Sequence, residues 1–154
     1  MALLNRKVDY ALLVLSFLRH HPGGGSAREI AGRFGLSRSF VANILKEMCH
    51  KGYVTSHRGV KGGYALAPHT ESANLADFIE ALDSSFRLAE CNQKDDATGC
   101  DVFHRCPVRG PIATVHGRII NVLRQVTLGE LFHPEAQPST VGLPLLAPNL
   151  VTVG

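Results

Sequence analysis

The sequence predicts a mainly α fold: a winged helix-turn-helix with a small β-hairpin wing, followed by a long C-terminal dimerisation helix. Three observations carry this expectation. The first 66 residues run in the order helix, short helix, turn, helix, hairpin. Charge is split along the chain: residues 1–65 hold ten Lys/Arg against three Asp/Glu, and residues 66–154 hold six against ten. Finally, β-branched residues recur at positions 112, 115, 119, 122 and 126, the spacing of a helical seam. The predicted organisation is a DNA-binding domain over 1–67, a linking helix and cysteine-rich loop over 68–110, a dimerisation helix over 111–133 and a mobile tail over 134–154.

The first helix spans 5–19, where Val8, Ala11, Leu12, Leu15 and Leu18 repeat at three- and four-residue intervals. His20-His21-Pro22-Gly23-Gly24-Gly25 ends it, since proline and glycine disfavour helix continuation. Ser26 and Glu29 form a Ser-x-x-Glu capping box that opens a short helix with Ile30, Ala31 and Phe34 inward. Gly35 stops it, Leu36 makes the turn, and Ser37 caps a third helix whose inner face is Val41, Ile44, Leu45 and Met48. Gly52 suits the left-handed position past its end. Tyr53–Ser56 and Tyr64–Leu66 read as two strands around a basic, glycine-rich tip, 57–63.

Asn74 opens another amphipathic helix with Leu75, Phe78, Ile79 and Leu82 inward. From Ser84 to Arg109 no period is visible. Pro111 fits the first turn of the long helix, whose seam is Ile112, Val115, Ile119, Val122 and Val126. Thr127 and Glu130 form a second capping box, with a short turn through Phe132. Residues 134–154 hold four of the eight prolines and one charge, Glu135.

With 45% hydrophobic and 19% charged residues, the chain buries a real core. No apolar run approaches a membrane span and no cationic-then-apolar leader opens it, so a cytoplasmic, non-membrane protein is expected. Four cysteines are too few for a secreted disulfide scaffold. Nucleophile elbow, P-loop and paired-carboxylate motifs are absent, so an enzyme is not expected.

A helix-turn-helix sets the N-terminal side chains of its second helix at base edges. Here those are Ser37, Arg38 and Ser39, with Asn43 one turn on. Arginine pairs bidentately with guanine and asparagine with adenine. At the wing, Arg58 and Lys61 flank glycines, Gly59 among them, that let backbone approach phosphates. Lys7, Arg28 and Arg6 are further phosphate candidates, and His57 stands beside the wing. The expected partner is double-stranded DNA, met by a homodimer whose two-fold axis matches two half-sites.

Cys91-x8-Cys100-x5-Cys106 places three thiols in a segment rich in Gly, Asp and Asn. Three thiolates can wrap a metal centre and leave one position open, which suits a sensor. Two alternatives stand beside this: plain thiols that sense redox state, and a Cys3His zinc site completed by His104 that stabilises an interaction module. Cys49 lies apart, as a small buried hydrophobe.

Taken together, Lys7-Val8-Asp9-Tyr10-Ala11-Leu12, the wing Arg58-Gly59-Val60-Lys61-Gly62-Gly63-Tyr64 and the three-cysteine loop before a long helix resemble the Rrf2 family over residues 1–132. The resemblance implies a homodimeric winged-helix transcriptional regulator, often a repressor, and the cysteine triad resembles its iron–sulfur branch. It implies a cluster held by Cys91, Cys100 and Cys106, of [4Fe–4S] type with [2Fe–2S] as the alternative. That cluster would sense nitric oxide, redox state or iron–sulfur supply. In NsrR-like members an aspartate of the partner's first helix completes the site, and Asp9 stands at the matching place. In IscR-like members a histidine three residues after the last cysteine does so, where this chain has Arg109. Two features depart from the family: eight residues between Cys91 and Cys100 where five are common, and Ala42 where relatives often carry an acid.

Overall fold

The computed structural model describes residues 4–57, 62–83, 86–89, 91 and 100–133. Within them the chain forms α1 (Arg6–Arg19), α2 (Ala27–Phe34), α3 (Arg38–His50), β1 (Val54–His57), β2 (Gly63–Leu66), α4 (Leu75–Leu82), α5 (Arg109–Gln125) and α6 (Leu128–Phe132). This is the expected mainly helical fold with one hairpin and a long C-terminal helix. The wing-tip residues Arg58, Gly59, Val60 and Lys61 and the expected tail, 134–154, lie outside the described residues.

Local chemistry starts and stops the helices, and α1 begins one residue later than the sequence suggests, with Asn5 as its cap. Asn5 accepts the Val8 N–H at 2.9 Å and begins α1. His20 and His21 end it by hydrogen-bonding through Nδ1 to the Ser16 and Phe17 carbonyls at 2.7 Å each, adding to the His20 N–H that both carbonyls already accept. Both capping boxes form: Ser26 with Glu29 at α2, Thr127 with Glu130 at α6. Gly35, at φ +64°, makes the sharp turn between α2 and α3 that an L side chain would resist.

The core is one cluster shared by both halves of the chain. α1 gives Val8, Ala11, Val14, Leu15 and Leu18; α3 gives Val41, Ile44, Leu45 and Met48; α4 adds Phe78, Ile79 and Leu82; α6 adds Leu128 and Phe132. Phe78 meets Tyr53 edge-on at 4.9 Å, and burial, with Asp77 nearby, pushes the Tyr53 phenol above its ordinary pKa. Backbone bonds secure the C-terminal half: Leu75 N–H to Val126 O at 2.8 Å, Leu128 N–H to Ala73 O at 2.9 Å and Gly129 N–H to Glu71 O at 2.9 Å. Cys49 packs half-buried against this core.

The hairpin pairs Val54 with Leu66, Thr55 with Ala65, Ser56 with Tyr64 and His57 with Gly63; β1 lies one residue later than the expected 53–56 and β2 starts one residue before the expected Tyr64. Val126 also differs from expectation. It is the C-cap of α5 with extended backbone, and it packs against the core. The seam on the helix therefore ends at Val122, because the chain turns there to pair with the start of α4.

Candidate nucleic-acid interface and cysteine segment

Helix α3 has two opposite faces. Val41, Ile44, Leu45 and Met48 are buried, while Arg38, Ser39, Asn43, Lys46 and His50 are exposed. Spacings of 4, 3 and 4 from Ser39 through Asn43 and Lys46 to His50 make one stripe along the solvent side. Lys46 and His50 were not singled out from sequence, although the same period that exposes Asn43 carries on to them.

The other predicted contacts fall into three groups. Ser37 caps α3 through the Phe40 N–H at 3.3 Å and lies 2.8 Å from Ser39 Oγ, so both hydroxyls are engaged within the protein. Lys7 Nζ is held 3.1 Å from Glu47 Oε1, which tethers the start of α1 to α3 and offsets the lysine's charge. Arg6, Arg28 and His57 are exposed. Arg28 lines a polar cleft with Gly23, Gly24, Gly25, Ser26, Glu29, Gly62 and Gly63, between the start of α2 and the base of the hairpin. At this cleft the Ser26 N–H and hydroxyl, and then the nearby His21, hold the Glu29 carboxyl below its ordinary pKa.

Cys91, Cys100 and Cys106 are each half-buried, and none is in a disulfide. Soft thiol donors fit an iron–sulfur group in kind. The structure does not gather them: among the described residues no three His, Cys, Asp or Glu side chains stand together as metal ligands. Turns order the stretch after Cys100, with the Phe103 N–H on Cys100 O at 3.0 Å and the Arg109 N–H on Cys106 O at 3.4 Å. The Arg109 guanidinium lies 3.6 Å from the centre of the Phe103 ring, so residue 109 faces an aromatic ring. His104 meets the same ring edge-on at 5.1 Å. Asp9 is exposed in the first turn of α1. Its helix neighbour Tyr10 packs edge-on against Phe40 of α3 at 5.4 Å.

Along α5 no side chain is fully buried. Ile112 and Ile119 are half-buried, whereas Val115 and Val122 are 44% and 61% exposed. Leu123 turns inward onto the core. No described helix is long and apolar enough to cross a membrane.

Residues 4–134 match the model of a protein family described as Rrf2, iron-dependent transcriptional regulator. The HTH-type transcriptional regulator IscR of Vibrio cholerae is 32% identical over 103 residues, 67% of this chain and 58% of that relative, so the match spans less than two thirds of the relative's length. An rrf2-like HTH-type regulator of Rhodobacter capsulatus is 26% identical over 137 residues, 84% of this chain and 91% of the relative. Among solved structures, IscR of T. potens superposes with a TM-score of 0.65 at 25% identity, covering 88% of this chain and 91% of its own. CymR, the global cysteine regulator of B. subtilis, has the same fold, with a TM-score of 0.65 at 21% identity over 87% and 98% of the two chains.

Proposed function

The chain belongs to the Rrf2 family of DNA-binding transcriptional regulators and is not an enzyme; from this premise we propose a homodimeric regulator, acting as a repressor, that reads DNA with α3 and the wing and adjusts its affinity through Cys91, Cys100 and Cys106. One observation carries the DNA-reading surface: α3 is buried along one face and presents Arg38, Ser39, Asn43, Lys46 and His50 on the other. Arg38 and Asn43 are the base-reading candidates. Lys46, Arg28, Arg58 and Lys61 supply phosphate neutralisation. Lys7, paired with Glu47, serves mainly to seat α3 on α1. Ile112, Val115, Ile119 and Val122 of α5 form the dimer seam, and a cytoplasmic location follows from the DNA-binding role.

The three thiolates would hold an iron–sulfur cluster, [4Fe–4S] or [2Fe–2S], with Asp9 of the partner subunit as fourth ligand. When bound, such a cluster supplies a centre sensitive to nitric oxide, redox state and iron–sulfur supply. Two observations support the ligand choice. Arg109, a permanent cation on the Phe103 ring, offers no donor atom for iron. Asp9 is exposed on a helix packed directly against α3, so a ligand there links the cysteine segment to the DNA-reading helix. Anaerobically purified protein is expected to be brown and to contain iron and acid-labile sulfide, with Asp9→Ala altering the spectrum and shortening the lifetime of the colour. Colourless wild-type protein without iron would remove the cluster, and an unchanged Asp9→Ala spectrum would remove Asp9.

A second reading starts from Cys91, Cys100 and Cys106 as free, half-buried thiols. In it the thiols themselves sense oxidant, and a reversible disulfide between two of them changes DNA affinity. Iron-free protein whose duplex binding responds to peroxide and is restored by dithiothreitol supports this reading against the first.

A further inference from the structure

The wing motif contributes glycines that the sequence assigns to close approach of DNA backbone. The structure gives one of them a different task. The Gly25 N–H donates to Tyr64 O at 2.9 Å, and the Tyr64 N–H returns to Gly25 O at 2.9 Å. This bridge adds a third piece of extended backbone beside β2, drawn from the loop before α2. None of its three glycines has room for a Cβ where it stands. A Cβ on Gly63 would lie 2.8 Å from Gly25 O, one on Gly24, at φ +80°, would lie 2.7 Å from Tyr64 O, and one on Gly25 would meet the Phe17 ring at 2.7 Å.

The hairpin rests on the core through Val54, Tyr64 and Leu66, and its two strands are tied to different parts of the helix-turn-helix. β1 continues from α3 through residues 51–53, and β2 is stitched to the chain that enters α2 at Ser26. A two-stranded hairpin alone is marginal in water, so the angle at which it stands depends on what its base is tied to. Lys61 is three residues from Tyr64, at most roughly 10 Å of chain. A tilt of about 10° at the base moves it by roughly 2 Å, enough to break a phosphate contact.

Resting on the reading of Arg58 and Lys61 as phosphate contacts, we propose that Gly63, with Gly24 and Gly25 opposite, is a positioning element that sets the wing against the helix-turn-helix and so delivers those two cations to DNA. The glycine seam at the wing base is a specification of DNA affinity rather than only of stability.

A double-mutant cycle tests this, with a mixed-sequence DNA duplex as probe and binding followed by fluorescence anisotropy across a salt series. Arg58→Ala/Lys61→Ala is expected to lower the slope of log affinity against log salt by roughly 1.8, about 0.9 for each lost phosphate contact. Gly63→Ala is expected to weaken binding on the order of tenfold and to lower the slope in the same direction. In the Arg58→Ala/Lys61→Ala background it is expected to cost nothing further. Wild-type slope in Gly63→Ala, or a cost that adds in full to the double variant, overturns the positioning role. An unchanged slope in Arg58→Ala/Lys61→Ala overturns the wing reading instead, which keeps the two failures apart. Circular dichroism reports folding. If Gly63→Ala unfolds, Gly24→Ala enters the same cycle, and unfolding of both variants assigns the seam to stability alone and overturns the proposal.

Discussion

Helices α3, of 13 residues, and α5, of 17, are both amphipathic, and they end up in opposite environments. In α3, four apolar side chains are buried, with Leu45 at 0% and Ile44 at 2% exposure. In α5, 17 residues long, none is, and Val122 is 61% exposed. Both carry apolar residues at helical spacing, so periodicity does not separate them. The difference is neighbours. α3 is enclosed by α1, α2 and β1, whereas α5 touches the rest of the chain mainly through α4 and the inward Leu123. The reading head is complete within one chain. The back half leaves apolar side chains exposed along α5, a surface of the kind that marks an interaction site, and in our reading a second copy covers it.

The comparison breaks most visibly at Leu45. Leu45→Ala removes a fully buried side chain and is expected to cost about 2–5 kcal/mol, read as a lowered midpoint in urea. A midpoint shift no larger than that of a surface substitution would mean the head is not the self-sufficient part. Val122→Asp should leave the head folded yet raise the dimer dissociation constant on the order of 100-fold, since each symmetric seam receives the charge twice; sedimentation velocity reads it, and an unchanged dimer assigns the face to another partner. The two capping boxes give a matched pair. Ser26→Ala and Thr127→Ala should each cost about 1 kcal/mol, and amide hydrogen exchange should show the loss at α2 in one case and at α6 in the other.

Lys46→Ala sharpens the outer face of α3. It should lower duplex affinity equally for all sequences and reduce the salt slope by about 0.9, while a sequence-selective loss would make Lys46 a base reader. The smallest effect concerns acid. Glu29 and Glu130 both have pKa values held below 4.5 in the folded state by their capping serine and threonine. Their contribution is present above the unfolded value and fades as pH falls through the folded one. Glu29→Gln and Glu130→Gln should therefore flatten the stability profile only below about pH 4.5, and a change confined to neutral pH would contradict the capping assignment.

Much of this was legible because it is local. Ser26, Ser37, Asn74 and Thr127 open helices by accepting the N–H three residues on, so their effect is written in short stretches of sequence. The Arg38 and Asn43 face followed from the helical period, and Lys46 and His50 could have followed from continuing it. Lys7 was legible as a cation but not as the partner of Glu47, forty residues away. Val126 was assigned to the α5 seam because its spacing continues the pattern, and only the pairing of its carbonyl with Leu75 draws it off the helix.

The sequence by itself determined the order of helices and hairpin, where most of them start and stop, and the separation of a basic front from an acidic back. Each of these is set by interactions within a turn or two of the chain, or by composition alone. Tertiary structure decided which cations stay open to solvent, that Gly25 pairs with Tyr64 beside the wing, that Arg109 rests on Phe103, and that α5 has a face its own chain does not cover. Those outcomes depend on which distant surfaces meet, and helical periodicity shows that a residue lies on a face without showing what that face packs against.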